Sequence, residues 1–204
     1  MSVILQKPIP RSGPMPANRP GNKIWTVPQF HFLGDLGMFE GCRAMLINGA
    51  IIEEGPMNPP HRTALEVSTE AIRSVFGSTR RVCVQMPLVF GLTTDPEPDI
   101  AVVAGSARGS TTHPTTADLI VEISDTSLSY DTNEKMSLYA SARIADYWVV
   151  DVIGRKLLVY RDPIQDSTAP HGSTYSTQKS FSETDSVTPF ATPNSTVKVS
   201  DLLP

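Results

Sequence analysis

Three residues in the middle of this chain, Asp99, Glu122 and Lys135, are of types that could converge on one site: two carboxylates and an ammonium. Asp99 follows Glu97-Pro98 and opens the apolar run Ile100-Ala101-Val102-Val103. It therefore stands at the start of an expected strand, where the preceding proline is tolerated. Glu122 stands near the end of Leu119-Ile120-Val121-Glu122-Ile123. An ionised carboxylate in so apolar a segment is costly unless it is paired or bound to a cation. Lys135 falls in the first turns of the helix expected next. Two carboxylates suit a hard divalent cation, Mg²⁺ or Mn²⁺, which takes oxygen ligands and keeps waters. The chemistry expected is metal-assisted hydrolysis, with Asp99 and Glu122 as metal ligands and Lys135 countering charge on the phosphodiester or positioning the attacking water. Taken singly, Asp99 also suits a turn and Lys135 a solvated helix face. Glu122 fits a plain structural role least well.

The elements that must position these residues follow from pattern. Thr26 followed by Phe30, Phe32, Leu33 and Leu36 suggests a short helix ending near Gly37. Arg43–Ile47 and Ile51–Glu54 flank Asn48-Gly49, the strongest short hairpin signal. Asn58-Pro59-Pro60 opens a helix in which Ala64, Leu65, Ser68, Ala71, Ile72 and Val75 keep helical spacing until Gly77. Strands are expected at Val82–Gln85, Ile100–Val103, Leu119–Ile123, Tyr147–Val150 and Lys156–Tyr160, with a helix from about Asp131 to Arg143. Asp131 and Glu134 have the spacing of an N-cap and its N3 partner. Half of residues 173–196 are Ser or Thr, which weakens a strand expectation there, although Tyr175 and Phe181 are candidate anchors for β-structure at an edge. Val197–Leu203 reads as a strand and a docked terminus. This is a mixed α/β order, a central sheet flanked by at least two helices.

The stretch from residue 95 to 151 contains Pro98-Asp99-Ile100-Ala101-Val102-Val103, Val121-Glu122-Ile123-Ser124, Asp131 with Glu134-Lys135 and Tyr139-Ala140, and Asp146-Tyr147-Trp148-Val149-Val150-Asp151. It resembles the Uma family of restriction-endonuclease-like proteins, within the PD-(D/E)XK nuclease superfamily. The resemblance extends upstream through Trp25-Thr26-Val27, Ile47–Ile51 and Pro56-Met57 with His61, and downstream to Val199–Leu203. It implies a restriction-endonuclease-like mixed central sheet flanked by helices, with C-terminal β-strands, in a nuclease-like domain over 24–204 that follows a basic, Pro-rich arm over residues 1–23, which the resemblance does not cover. It further implies that Asp99 is the acid of the Pro-Asp motif and Glu122 the second acid, both holding metal. The lysine of the superfamily's Glu-x-Lys would fall at position 124, on Glu122's strand face, but Ser124 stands there. In this family the lysine sits on the following helix, where Lys135 fits. Gln85 matches a polar position that touches substrate or a metal-bound water. His61 matches a histidine common in the family and has the same two roles open to it, beside a plain hydrogen bond at a helix start. Two positions depart from the family pattern: Met45-Leu46-Ile47-Asn48-Gly49 replaces Glu-Leu-Ile-Asp-Gly, leaving Glu53 or Glu54 as a substitute acid, and Arg143 replaces a glycine.

Composition bounds the rest. The 204 residues carry a net charge of −4, but no acidic residue precedes Asp35, and Lys7, Arg11, Arg19 and Lys23 give the arm +4. Six prolines precede Asp35 and predict an extended, solvated arm. An acidic body does not coat nucleic acid by bulk charge, so local arginines are required. Arg62, Arg73, Arg80 and Arg81 are the candidates, and Arg62 beside His61 is taken as a substrate contact. Cys42 and Cys83 are too few for a disulfide framework or a four-cysteine zinc site. His113 and His171 lie in loops without companion ligands. No apolar run approaches the ~20 residues of a membrane span, and Met1–Leu5 is too short for a signal-peptide core; a cytoplasmic protein is expected. The expected function is metal-dependent endonuclease action on DNA, with RNA or another phosphodiester served by the same residues. A homodimer is expected because cutting both strands is easiest with two sites about a two-fold axis. The alternative, from a different class, is a non-catalytic nucleic-acid-binding or assembly module on the same scaffold.

Overall fold

In the computed structural model, which describes residues 21–108 and 110–204, Asn48-Gly49 closes the expected hairpin. Strands β1 (Arg43–Ile47) and β2 (Ala50–Glu54) pair antiparallel with Ile47 opposite Ala50. Asn48 and Gly49 take φ of 48° and 79°, the left-handed pair that a two-residue turn needs to match strand twist. Helix α1 (Val27–Asp35) precedes the hairpin, and Gln29 Oε1 accepts from the Thr26 N–H at 3.2 Å. Val27, Phe30 and Leu46 form a small apolar core. The Leu46 and Asp95 backbones exchange hydrogen bonds, and His31 Nε2 donates to Asp95 Oδ2 at 2.6 Å. These elements make one compact unit, from the described part of residues 1–56 together with Val89–Pro96. The Pro-rich arm expected over residues 1–23 lies outside the described residues up to position 20.

The second unit, Met57–Leu88 with Glu97–Pro204, contains a six-stranded mixed sheet. Helix α2 (Pro59–Phe76) leads into β3 (Arg81–Val84), β4 (Ile100–Val103) and β5 (Leu119–Ser124). A composite helix then joins β5 to β6 (Asp146–Asp151), followed by β7 (Lys156–Gln165) and β8 (Ser173–Ser182). Spatial order follows chain order, and only β5 and β6 run parallel. The parallel step requires a crossover, and the composite helix supplies it. Alternation divides the strand residues between two faces. Ile100, Val102, Val121, Ile123, Trp148 and Val150 face one way and pack with Ala64, Leu65, Ile72 and Phe76 of α2. Glu122, Ser124 and Tyr147 have the opposite parity and face the composite helix, whose Tyr139 ring lies 5.0 Å from that of Tyr147.

Three expectations change. The composite helix begins at Leu128, not Asp131, and comprises α3 (Leu128–Tyr130), a π turn (Asp131–Lys135) and α4 (Met136–Ser141). Asp131 is not its N-cap: it lies inside the helix and is buried, its carboxylate already accepting from the Ser127 hydroxyl. The Ser/Thr-rich segment does form a strand, the ten-residue β8 at the sheet edge. Pairing along β7, burial of Tyr175 and packing of Phe181 on the core outweigh its weak apolar pattern. After β9 (Ser186–Val187), the C-terminal strand is only β10 (Val197–Lys198), followed by a 3₁₀ turn at Val199–Leu202. Ser68 of α2 ties that turn down by donating to the Leu202 carbonyl at 3.0 Å. Among the described residues no helix is long and apolar enough to cross a membrane.

Gly49 offers a test of the hairpin. A Cβ there would clash with the Ile24 side chain and lie 3.1 Å from the Trp25 carbonyl oxygen, at a φ that disfavours L side chains. Gly49→Ala is expected to cost about 1–3 kcal/mol of stability in urea unfolding. Gly55→Ala, with no atom within 4 Å of the added carbon, is the control expected to stay near wild type.

Candidate active site

The pairing of β4 with β5 brings the two acids together. Ile100 stands opposite Val121, so one step further along the antiparallel register Asp99 stands opposite Glu122, on the face away from α2. The backbone seals this arrangement. The Ile123 N–H donates to Asp99 Oδ2 at 2.9 Å, and the Asp99 N–H points at Glu122 Oε2 at 3.4 Å.

The second Asp99 oxygen, Oδ1, receives His61 Nε2 and Gln85 Nε2, each at 3.3 Å. His61 reaches it from the first turn of α2. Asn58 caps that helix by accepting from the His61 N–H at 3.0 Å, and its amide donates to Asp125 Oδ2, just past the end of β5. One side chain thus ties the start of α2 to the acid-bearing strand. Gln85 follows β3 at φ 48°, a left-handed conformation unusual for glutamine, and its N–H donates to the Asp99 carbonyl at 3.0 Å. Burial acts to raise the Asp99 carboxyl, but the hydrogen bond and charge of His61, the charge of Lys135 and the Ile123 N–H outweigh it and hold the group below the usual aspartate value.

Glu122 is the opposite case. Its carboxyl is 1% exposed. Lys135 Nζ donates to Oε2 at 3.1 Å and the Tyr139 hydroxyl to Oε1 at 2.7 Å. Burial, reinforced by the charges of Asp99 and Asp131, outweighs both donors and pushes this carboxyl up to about 8.

The composite helix delivers those donors. Its π turn is wider than an α turn of 3.6 residues, which brings side chains four apart nearer to one column. Lys135 Nζ lies 3.7 Å from Asp131 Oδ1 while also reaching Glu122, so the ammonium bridges two carboxylates. The Tyr147 hydroxyl donates to the Asp131 carbonyl at 2.8 Å and supports the turn from the sheet. Asp131 and Tyr139 were not read from the sequence as site residues, since one resembled a cap and the other core packing. The signal was their i, i+4, i+8 spacing with Lys135 on one helix. Asn58 was read only as a helix start.

The structure thus brings Asp99, Glu122, Lys135, Gln85 and His61 into one connected set. Arg62 is not in it: its side chain is exposed and joins none of the set's hydrogen bonds. Arg80 pairs with Asp118 at 2.5 Å. Within the first unit, Met45 is buried in β1 and Glu54 pairs with Arg43 at 3.3 Å. Among the described residues no group of three or more His, Cys, Asp or Glu side chains forms a metal cage. Asp99 and Glu122 present two carboxylates across β4 and β5, and a hard cation such as Mg²⁺ commonly takes one or two carboxylates from a protein.

The Glu122 shift has a consequence for stability. Its carboxyl binds its proton more tightly in the folded chain than at the ordinary value of 4.5, so the folded state loses relative stability as pH rises from about 4.5 to about 8. In EDTA, thermal melts of the wild type are expected to fall across that window, and Glu122→Gln is expected to flatten the fall. Parallel profiles for the two proteins would contradict this.

The chain matches the Uma2 family, whose description reads "Putative restriction endonuclease", over residues 27–196. No curated protein matches it. Among solved structures, that of "a putative nuclease belonging to DUF820 from Anabaena variabilis ATCC 29413" superposes with a TM-score of 0.63 at 17% identity, over 87% of this chain and 96% of that one. At that identity the likeness speaks for the fold, a mixed sheet flanked by helices. The family match spans most of the chain and includes the strands and helix that bear Asp99, Glu122 and Lys135, so this protein belongs to the Uma2 family.

Proposed function

We propose that this protein is a metal-dependent endonuclease that hydrolyses phosphodiester bonds in DNA, with Asp99 and Glu122 holding Mg²⁺ or Mn²⁺. The observation that carries the reading is the placing of two buried carboxylates opposite one another on adjacent strands, with Lys135 Nζ 3.1 Å from Glu122 Oε2. The donor set fits a hard cation: the oxygens are carboxylate, and Glu122 is held in an environment that disfavours its charge, a cost that a nearby divalent ion relieves. When bound, such an ion supplies Lewis-acid stabilisation of phosphoryl charge and lowers the pKa of water in the site.

The chain's own residues divide the remaining work. Asp99 is fixed by donors on both oxygens, so it enters the site with its orientation set. His61 and Gln85 do that orienting, and both lie where substrate would approach Asp99. The Lys135 ammonium, held between Glu122 and Asp131, is available to charge developing on the phosphodiester. Arg62, exposed on the next position of α2, is assigned to the DNA backbone. Met45 favours a second reading, a nucleic-acid-binding module without catalysis, because a buried methionine stands where the family pattern has glutamate.

Plasmid nicking separates the two readings. Activity is expected with Mg²⁺ or Mn²⁺ and is expected to vanish in EDTA. Asp99→Asn, Glu122→Gln and Lys135→Ala should each lower the rate by at least about 10²-fold. DNA binding without cleavage, equal in wild type and Glu122→Gln, would establish the module instead. Arg62→Ala is expected to weaken DNA binding across sequences and to reduce the slope of log affinity against log salt by about one.

A further inference from the structure

We infer that Tyr139 is a positioning residue that fixes the rotation of the Glu122 carboxyl, and that the affinity of the Asp99–Glu122 pair for a divalent cation depends on its hydroxyl. The inference rests on the metal-dependent reading above. A glutamate side chain has several rotatable bonds, and Lys135, on an equally flexible stem, cannot alone settle which way the carboxyl turns. Tyr139 can, because its ring is fully buried and its hydroxyl donates to Oε1 at 2.7 Å, leaving Oε2 on the side of Lys135 and the Asp99 N–H.

The rigidity of that hydroxyl comes from its neighbours. The Tyr139 ring lies 5.0 Å from Tyr147, which lies 5.6 Å from Tyr160 and 6.2 Å from Tyr175. Two other hydroxyls of this cluster serve the main chain: Tyr147 donates to the Asp131 carbonyl and Tyr175 to the Ile144 carbonyl, each at 2.8 Å. The Tyr139 hydroxyl goes instead to a carboxylate that the site uses. Packing alone would be met as well by phenylalanine. Hydrogen bonds that orient a metal ligand typically affect affinity by 10–100-fold.

The test is Mn²⁺ titration of the full-length protein, followed by the electron paramagnetic resonance of free Mn²⁺. Wild type is compared with Tyr139→Phe, and with Tyr175→Phe as a control that loses a buried tyrosine hydrogen bond of the same cluster away from Glu122. The expected result is 10–100-fold weaker Mn²⁺ binding in Tyr139→Phe and wild-type binding in Tyr175→Phe. Raising Mn²⁺ should also restore plasmid nicking by Tyr139→Phe, with KM for DNA unchanged, a rescue that a folding defect would not give. Equal Mn²⁺ affinity in wild type and Tyr139→Phe overturns this inference alone, and so does equal weakening in both tyrosine variants. No Mn²⁺ uptake by wild type overturns the metal-dependent reading together with it.

Discussion

The antiparallel register between β4 and β5, with Ile100 opposite Val121, decides which side chains can meet in this protein. Strand residues alternate between faces, so a slip of one residue would turn Glu122 towards the apolar face that packs on α2 and turn Val121 towards the helix. The observed register sets Asp99 and Glu122 across from one another. It also lets the Ile123 N–H bind the Asp99 carboxylate. Everything else in the site answers to the two acids this register creates. The helix between β5 and β6 must bring a cation and a hydroxyl to that face, and the start of α2 must bring a histidine to the strand end.

A buried acid is not by itself a sign of chemistry, and the second unit contains an instructive contrast. Asp146 has no solvent exposure, yet it accepts from the Trp148 indole at 2.7 Å, from Arg161 at 2.8 Å and from the Phe190 N–H at 2.9 Å. Those donors satisfy it completely and staple β6 to β7 and to the segment beyond β9. Glu122 has donors too, but Lys135 also lies 3.7 Å from Asp131, and burial together with the charges of Asp99 and Asp131 outweighs both donors. The Lys135 ammonium answers two of these acids, Glu122 and Asp131, while Asp99 is held by His61, Gln85 and the Ile123 N–H. The π turn fits the same account, because it trades regular helix bonding for the alignment of Asp131 with Lys135.

Much of this was legible in the sequence because it is local. Asn48-Gly49 demands left-handed backbone, Asn58 before two prolines announces a helix start, and apolar runs of four to six residues mark the strands. That Asp99, Glu122 and Lys135 belong together was expected from residue type and from the family pattern around them, and the structure brings the three together. The start of the composite helix was misplaced because Asp131 and Glu134 have the spacing of a capping box, and spacing does not reveal burial. The strand at 173–182 was obscured because its stability comes from pairing with β7, not from its own composition.

What the sequence carried alone was therefore most of the helices and strands, since backbone preference and hydrophobic alternation act over a few positions, and the candidacy of Asp99, Glu122 and Lys135. Only the tertiary structure decided that Asp99 faces Glu122, that Tyr139 and Asp131 belong with Lys135, and that Arg62 does not. Those facts depend on strand register and on which helix face meets the sheet. Both are set by packing between segments apart in the chain, Asp99 lying 23 residues from Glu122, and Glu122 lying 13 from Lys135 and 17 from Tyr139, which no local pattern encodes.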